Sequence, residues 1–268
     1  MFTIEDFQKG SIMKIEDHFK EIDAITEKQA MTIAADGTER LEEDRLIHEH
    51  FLEVSVNSYT AFRLSCTAEH LHELVTGRLY TEGLIRGTED IERLFFCAKG
   101  SIAEVTLSEE VPFQVYQGTE PTCCSGNRQF LSGERKMQVL PEAVVDRRAV
   151  FALAGYFQKD SRLHKSTSGT HSCYLHLPDG TIAGFEDISR HNALDKAVGH
   201  MLLADADPTA CMLYTTGRVP VDMVQKTVMA RVPVLVSKSV PTDAAVDLAK
   251  EYGLQLICKA WPDSYTVY

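Results

Sequence analysis

Between residues 210 and 258 the chain alternates short apolar runs with amphipathic helical spacing, and this alternation narrows the possible folds more than any other feature. Ala210–Thr215, Val232–Ser237 and Leu254–Cys258 are apolar runs of strand length. Between them Gly217 turns the chain and Pro220 opens a helix carrying Met223, Val224, Thr227 and Val228. Pro241 opens a second helix with Ala245, Leu248, Ala249 and Tyr252, closed at Gly253. Such alternation yields parallel strands joined by right-handed crossovers. Ligands in sheets of this kind bind beyond the carboxyl ends of the strands. Those ends are Thr215-Thr216-Gly217-Arg218, Ser237-Lys238-Ser239-Val240 and Lys259-Ala260-Trp261-Pro262-Asp263-Ser264. They offer hydroxyls, cations and an aromatic face, a set suited to a nucleotide phosphate and base. Ordinary polar connections share that composition, so topology carries the expectation.

A second constraint lies just upstream. His171–Leu177 and Thr181–Phe185 read as two strands joined by the turn Pro178-Asp179-Gly180. Leu194, Val198, Met201 and Leu202 recur at helical spacing, so a helix starts near residue 190. The run from Glu186 to Lys196 holds three carboxylates, Arg190, His191, Asn192 and Lys196, where a strand hands over to a helix. Exposed helix N–H groups there favour anions, and the position of Asp187 and His191 predicts that both line a ligand pocket. The alternative is a capping cluster, with Asp187 or Ser189 as the cap and Asp195 and Lys196 solvated.

The remainder divides by period. Residues 1–45 form an acidic extension that reads as helical, with Ile4, Phe7, Ile15, Phe19 and Ile22 as weak apolar positions. Residues 46–113 read as a small α+β domain. Leu52, Val54 and Val56 alternate, Asn57-Ser58 turns, and Phe62, Leu64 and Cys66 alternate again, a hairpin. Thr67 then caps a helix with Leu71, Leu74, Val75 and Leu79 on one face and Gly83 as its stop. Strands follow near Ile91–Cys97 and Ile102–Leu107. Residues 114–135 have no period, and an aperiodic loop of that length is more often functional than idle. In the last domain, 136–268, Pro141 opens a helix through about Phe157.

Charge and cysteine usage limit the function classes. Net charge is −12, and residues 1–50 alone hold 13 acids against 6 Lys and Arg. A duplex-binding surface is therefore not expected, so no nucleic acid partner is. No apolar run approaches the ~20 residues that span a membrane, and the N-terminus lacks a signal-peptide h-region, so a cytoplasmic protein is the expectation. Of the seven cysteines, Cys66, Cys97, Cys173, Cys211 and Cys258 fall in apolar sequence and are expected as buried small hydrophobes. Cys123-Cys124 sits between Pro121 and Gly126 in the aperiodic loop. A thiol nucleophile needs exposure and a lowered pKa, and Arg128 and Arg135 can stabilise its thiolate. There is no C-x-x-C pair, so neither a zinc nor a thioredoxin-type site is expected.

These residues also resemble a known family. Glu186-Asp187-Ile188-Ser189-Arg190-His191-Asn192-Ala193-Leu194-Asp195-Lys196 closely resembles the E-D-I-G-R-H-N-A-V-D-K signature of the FdhD family, accessory sulfurtransferases of formate dehydrogenase. Thr167-Ser168-Gly169-Thr170-His171 looks like its T-G-G-x-H, Thr215-Thr216-Gly217-Arg218-Val219 like its T-T-G-R-V, and Ser237-Lys238-Ser239-Val240-Pro241-Thr242 like its S-R-S-A-P-T. Val56-Asn57 and Glu82-Gly83-Leu84-Ile85 extend the similarity loosely into the N-terminal half, so that it covers roughly residues 50–268.

The resemblance implies an α/β fold, a cytidine-deaminase-like three-layer core behind a smaller α+β domain, in a homodimer. It implies that a loop cysteine takes persulfide sulfur from a cysteine desulfurase. That sulfur passes to the molybdenum bis-molybdopterin guanine dinucleotide cofactor, bound as substrate, to activate the formate dehydrogenase catalytic subunit. Cys123-Cys124-Ser125-Gly126-Asn127-Arg128-Gln129-Phe130 resembles the family variant G-C-G-G-G-x-x-F, which makes Cys124 the working cysteine with Cys123 where glycine usually stands. The cofactor site implied comprises the strand ends with His171, Asp187, Arg190 and His191. Where the family carries F-x-R-G-x-R this chain has Lys259-Ala260-Trp261-Pro262-Asp263-Ser264, and Lys238, Arg218 or Lys259 would replace the missing arginines. The alternative is a non-enzymatic chaperone that binds the same cofactor. A nucleotide deaminase needs H-x-E and P-C-x-x-C elements for its zinc, and both are missing.

Overall fold

The computed structural model describes residues 13–109, 114–115, 130–131 and 136–268. Its first strands are β1 (Lys14–Asp17), β2 (Ile25–Ile33) and β3 (Glu39–Ile47). The helical expectation for the N-terminal extension is thus corrected over its described part; Ile4 and Phe7 lie outside the described residues. The charges that suggested a helix surface pair across two antiparallel strands instead, Glu27 opposite Arg45 and Lys28 opposite Asp44. Ile15 and Phe19 pack against the main core.

The hairpin β4 (His50–Val56) and β5 (Tyr59–Cys66) turns at Asn57 and Ser58, which both have positive φ (47° and 72°). That is the backbone a two-residue hairpin requires. The Asn57 side chain also accepts a hydrogen bond from the Leu107 N–H at 2.9 Å. Helix α1 (Leu71–Thr81) follows, then β6 (Ile91–Phe96) and β7 (Ile102–Leu107). The five-stranded sheet runs β1-β6-β7-β4-β5, with β1 parallel to β6. Leu52, Val54, Val56, Phe62 and Leu64 turn inward toward α1. Thr67 does not cap that helix: His70, at φ 58°, stands at the N-cap without a side-chain cap. The helix closes as expected at Gly83, φ 76°. A two-residue pair, β8 (Gln114–Val115) with β9 (Phe130–Leu131), precedes the second half.

In that half, Pro141 does not open a helix. Helix α2 (Arg147–Lys159) starts six residues later, where the Asp146 carboxylate accepts the Arg148 N–H at 2.8 Å, a stronger start signal than proline. The residues before it are held extended, with the Leu140 N–H bonded to Tyr252 O. Then come α3 (Arg162–Thr167), β10 (His171–His176), β11 (Ile182–Asp187), α4 (Arg190–Leu203), β12 (Met212–Thr215), α5 (Val221–Met229), β13 (Val234–Ser237), α6 (Asp243–Glu251), β14 (Gln255–Cys258) and β15 (Thr266–Val267). The six-stranded sheet has the order β11-β10-β12-β13-β14-β15. Strands β12, β13 and β14 are parallel, as the alternation demands, and the others are antiparallel.

Alternation along the strands builds three layers. Leu175, Leu213, Leu235 and Leu256 face Val198 of α4, Val224 of α5 and Ala245 of α6. Tyr174, Tyr214, Val236 and Ile257 face Val150, Leu153 and Ala154 of α2. The two halves meet where α1 crosses α4, and the crossing is close because both helices carry glycine there. A Cβ on Gly77 would stand 1.8 Å from Asp195 O, and one on Gly199 would stand 1.9 Å from Glu73 O. Gly155, inside α2, has open space around it. Gly77→Ala is therefore expected to destabilise the protein by about 1–3 kcal/mol or more, whereas Gly155→Ala stabilises it by roughly 0.5–1 kcal/mol. Urea denaturation of the two variants beside the parent checks both signs.

Candidate functional site

The three strand-end loops interlock through their own backbones. Lys238 N donates to Thr215 O, Ala260 N to Ser237 O and Lys259 N to Ser239 O, at 2.8–3.0 Å. The Ser237 hydroxyl donates to Gly217 O at 2.8 Å and accepts the Ser239 N–H at 3.0 Å. The Thr215 hydroxyl accepts the Gly217 N–H at 3.2 Å. Thr215, Ser237 and Ala260 are buried and hold the loops in place. Arg218, Lys259, Trp261, Pro262, Asp263 and Ser264 are exposed at the rim, with Thr216, Lys238 and Ser239 half-buried among them. Trp261 N closes the last loop onto Ser264 O at 2.8 Å.

The electrostatics of this edge are mostly cationic, with Asp263 as the one carboxylate among the three loops. Lys238 Nζ lies 4.6 Å from the Phe157 ring centroid and 5.0 Å from that of Trp261, which is 44% exposed. Two aromatic faces hold the ammonium without neutralising it. Among the described residues Arg218, Lys238 and Lys259 form no ion pair with an acid. Three unneutralised cations on three joined loops suit an anion, and a phosphate most readily.

The start of α4 borders this edge. Gly217 presses on the Arg190 side chain so closely that a Cβ would stand 2.9 Å from it. The Ser172 N–H donates to the Thr216 hydroxyl at 3.0 Å, which puts the neighbouring His171 beside the first loop. Burial, then the nearby Arg190 charge, pushes the His171 pKa down and favours a neutral ring. His191 Nε2 stands 2.7 Å from Asp222 Oδ2. Burial alone would raise the Asp222 pKa, but the His191 bond and charge outweigh it and hold the carboxyl below its ordinary value. Asp222 has no motif to announce it; its one sequence signal is an acid in the first turn of a helix that follows Pro220.

Asp187 stands opposite His171 across the β10–β11 pair but turns its carboxylate into the interior, which corrects the expectation that it lines the pocket. It is fully buried, 2.8 Å from Lys196 Nζ. Its two oxygens also accept from Thr67 N, Ser189 N and Asn192 Nδ2 at 2.9–3.0 Å. Lys196 donates in turn to the Thr67 hydroxyl at 2.7 Å. Asp195 and Lys196, the residues of a solvated cap, are instead wholly buried. Asp195 lies 2.9 Å from Lys226 Nζ and 3.6 Å from Arg78, and accepts the Thr81 hydroxyl at 2.8 Å. Arg78 and Lys226 share Glu82 as a further partner, at 3.0 and 3.3 Å.

Cys123 and Cys124 lie outside the described residues. Of the other five thiols, burial pushes Cys66 and Cys173 far up and raises Cys211 and Cys258 to about 12. Cys97, expected to be buried with the others, is instead half-buried; burial would raise it, but the Ser101 hydroxyl and neighbouring backbone N–H groups lower it overall. Among the described residues no group of His, Cys, Asp and Glu is arranged to hold a metal ion, and no helix is long and apolar enough to cross a membrane.

Fold and site define a mixed α/β protein with cationic strand-end loops and a buried ionic joint between its two halves. The chain belongs to the FdhD/NarQ family, whose model matches residues 47–268. It is 31% identical over 234 residues to the sulfur carrier protein FdhD of Bacillus licheniformis, spanning 85% of this chain and 89% of that protein. The sulfur carrier protein FdhD of Sulfurisphaera tokodaii is 30% identical over 238 residues, 86% of this chain and 92% of that protein. A crystal structure from Desulfotalea psychrophila, described as a formate dehydrogenase accessory protein, shares the fold with a TM-score of 0.75 at 21% identity. The superposition covers 92% of this chain and 97% of that one.

Two outcomes are expected. Lys196→Met leaves the Asp187 carboxylate buried without its cation and should cost about 3–5 kcal/mol in chemical denaturation, while Arg218→Ala at the exposed rim stays within about 0.5 kcal/mol of the parent. Alkylation of the native protein with iodoacetamide near neutral pH, read by peptide mass spectrometry, should leave Cys66, Cys173, Cys211 and Cys258 unmodified and label Cys97.

Proposed function

We propose that this protein is a sulfur carrier that serves a formate dehydrogenase. It takes persulfide sulfur from a cysteine desulfurase onto Cys124, with Cys123 beside it, and passes that sulfur to the molybdenum bis-molybdopterin guanine dinucleotide cofactor. The cationic strand-end cleft carries the proposal, together with family membership and the names of the relatives. Arg218, Lys238 and Lys259 would face the pyrophosphate, in place of the arginines of the family motif. The exposed ring of Trp261 would offer a stacking face to guanine. His171 and His191 would border the pterin side. We read the layered core that presents this cleft as deaminase-like, and the working protein as a cytoplasmic homodimer.

Sulfur loading needs no external oxidant. The Cys124 thiolate attacks the terminal sulfur of the desulfurase persulfide; a new S–S bond forms as the old one breaks, and the desulfurase leaves as its thiolate. The four buried thiols, with their raised pKa values, are poor competitors for that sulfur.

Intact mass after incubation with a cysteine desulfurase and cysteine tests the carrier. The parent and Cys123→Ala should gain one sulfur atom, and Cys124→Ala should not, with formate dehydrogenase activation lost in parallel. A fully active Cys124→Ala protein would leave a cofactor-binding chaperone in place of a sulfur carrier. Calorimetry tests the cleft: GDP should bind more tightly than ADP, and Lys238→Ala should weaken GDP by roughly ten-fold, the loss expected for one charge-assisted contact. Equal, weak binding of both nucleotides would count against it.

A further inference from the structure

Strands β2 and β3 form a two-stranded sheet that pairs with no other strand among the described residues. A two-stranded hairpin by itself is marginally stable in water, and both of its outer edges present unpaired backbone donors and acceptors. It also exposes large apolar side chains: Met31 at 53%, Leu41 at 62% and Ile33 at 66%. Met31 and Leu41 are cross-strand partners, so the apolar surface is continuous.

The two edges differ. Strand β3, Glu-Arg-Leu-Glu-Glu-Asp-Arg-Leu-Ile, carries six charged residues in nine. Laid antiparallel on its own copy in full register, it would set Glu43 against Glu43 and Glu42 against Asp44, which like-charge repulsion forbids. Strand β2, Ile-Thr-Glu-Lys-Gln-Ala-Met-Thr-Ile, is nearly a palindrome about Gln29. Laid on its own copy in the same way, it sets Ile25 against Ile33, Thr26 against Thr32, and Gln29 against Gln29. Glu27 then meets Met31 and Lys28 meets Ala30, so no like charges are opposed. A two-fold interface demands this self-complementarity, because residue i contacts j and j contacts i.

We infer that β2 is an interface with a second copy of this chain: two hairpins join edge to edge, antiparallel about Gln29, into one four-stranded sheet. The charged β3 strands then form both outer edges and stop further growth, which limits the assembly to a dimer. The inference rests on the homodimer in the functional proposal only for the number of copies; it adds the surface and the register.

The register predicts opposite effects of opposite charges at the half-buried Ala30 of β2. Ala30→Lys gains an attractive partner within its own hairpin, Glu42, but faces Lys28 of the second copy twice per dimer. It should raise the dimer dissociation constant roughly five-fold or more, read by sedimentation, with the hairpin itself intact. Ala30→Glu opposes Glu42 within its own hairpin but faces the same two lysines of the second copy, so the dimer constant should hold or fall even as the isolated hairpin weakens. Gln29→Cys lies on the two-fold axis. Opposed antiparallel residues stand ~4.5–5.5 Å apart at Cα, within the ~4.4–6.8 Å of a disulfide, so oxidised glutathione should link two copies. Met31→Cys, which faces Glu27, should give no more linkage than the parent with its native cysteines. A parent that is monomeric at micromolar concentration would overturn both the homodimer and the interface. A dimer indifferent to both charges at residue 30, with no Gln29→Cys linkage, would overturn the interface alone.

Discussion

Asp195 and Lys196 are neighbours on α4, neither reaches water, and the rest of the molecule is arranged around that fact. Adjacent helix positions point about 100° apart, so the two charges look into different parts of the interior. Asp195 meets Lys226, Arg78 and Thr81, joining α4 to α5 and α1. Lys196 meets Asp187 and Thr67, joining α4 to the end of β11 and to the segment after β5. Burying an ion costs several kcal/mol unless its partners are complete. Each of those elements must therefore sit where it can supply its group, and the two halves of the chain cannot separate without stranding charge. The paired glycines at the α1–α4 crossing make this possible, since a methyl group on either would hold the helices apart.

The same helix links the joint to the cleft. Its first turn presents Arg190 beneath Gly217 and His191 toward Asp222 and turns Asn192 inward, while the next turn carries the buried Asp195 and Lys196. One short polar run thus has two duties separated by helical phase. The cleft is rigid on its inner side because Thr215, Ser237 and Ala260 are buried and their backbones are bonded to the neighbouring loops. Its outer side stays polar and cationic.

Acidity is distributed with similar economy. Residues 1–50 hold 13 acids against 6 Lys and Arg, and the charges of β3 sit on an edge that would otherwise recruit further strands. The cleft lies at the opposite functional extreme, with three cations lacking acidic partners among the described residues. A chain of net charge −12 can thus carry a locally cationic edge, because the sign of the whole does not fix the sign of one edge.

The sequence by itself determined the parallel β12–β14 unit, the convergence of its three loops, the Asn57-Ser58 hairpin and the inward burial of Cys66, Cys173, Cys211 and Cys258. Each follows from local period, turn chemistry or polarity, which neighbours along the chain fully specify. The family signature was legible too, because it is a contiguous run of residues. Tertiary structure alone decided which signature residues are buried. Asp187 looked like a ligand because polar residues at a helix start usually meet solvent, yet Thr67 and Lys196 close over it. Asp222 looked like an ordinary first-turn acid until His191 was placed 2.7 Å away. Cross-strand pairing also makes the described part of the N-terminal extension strands rather than a helix, since the partners of Glu27 and Lys28 lie on the next strand rather than one helical turn away. A buried polar group is defined by what covers it, and the cover comes from residues far away in sequence.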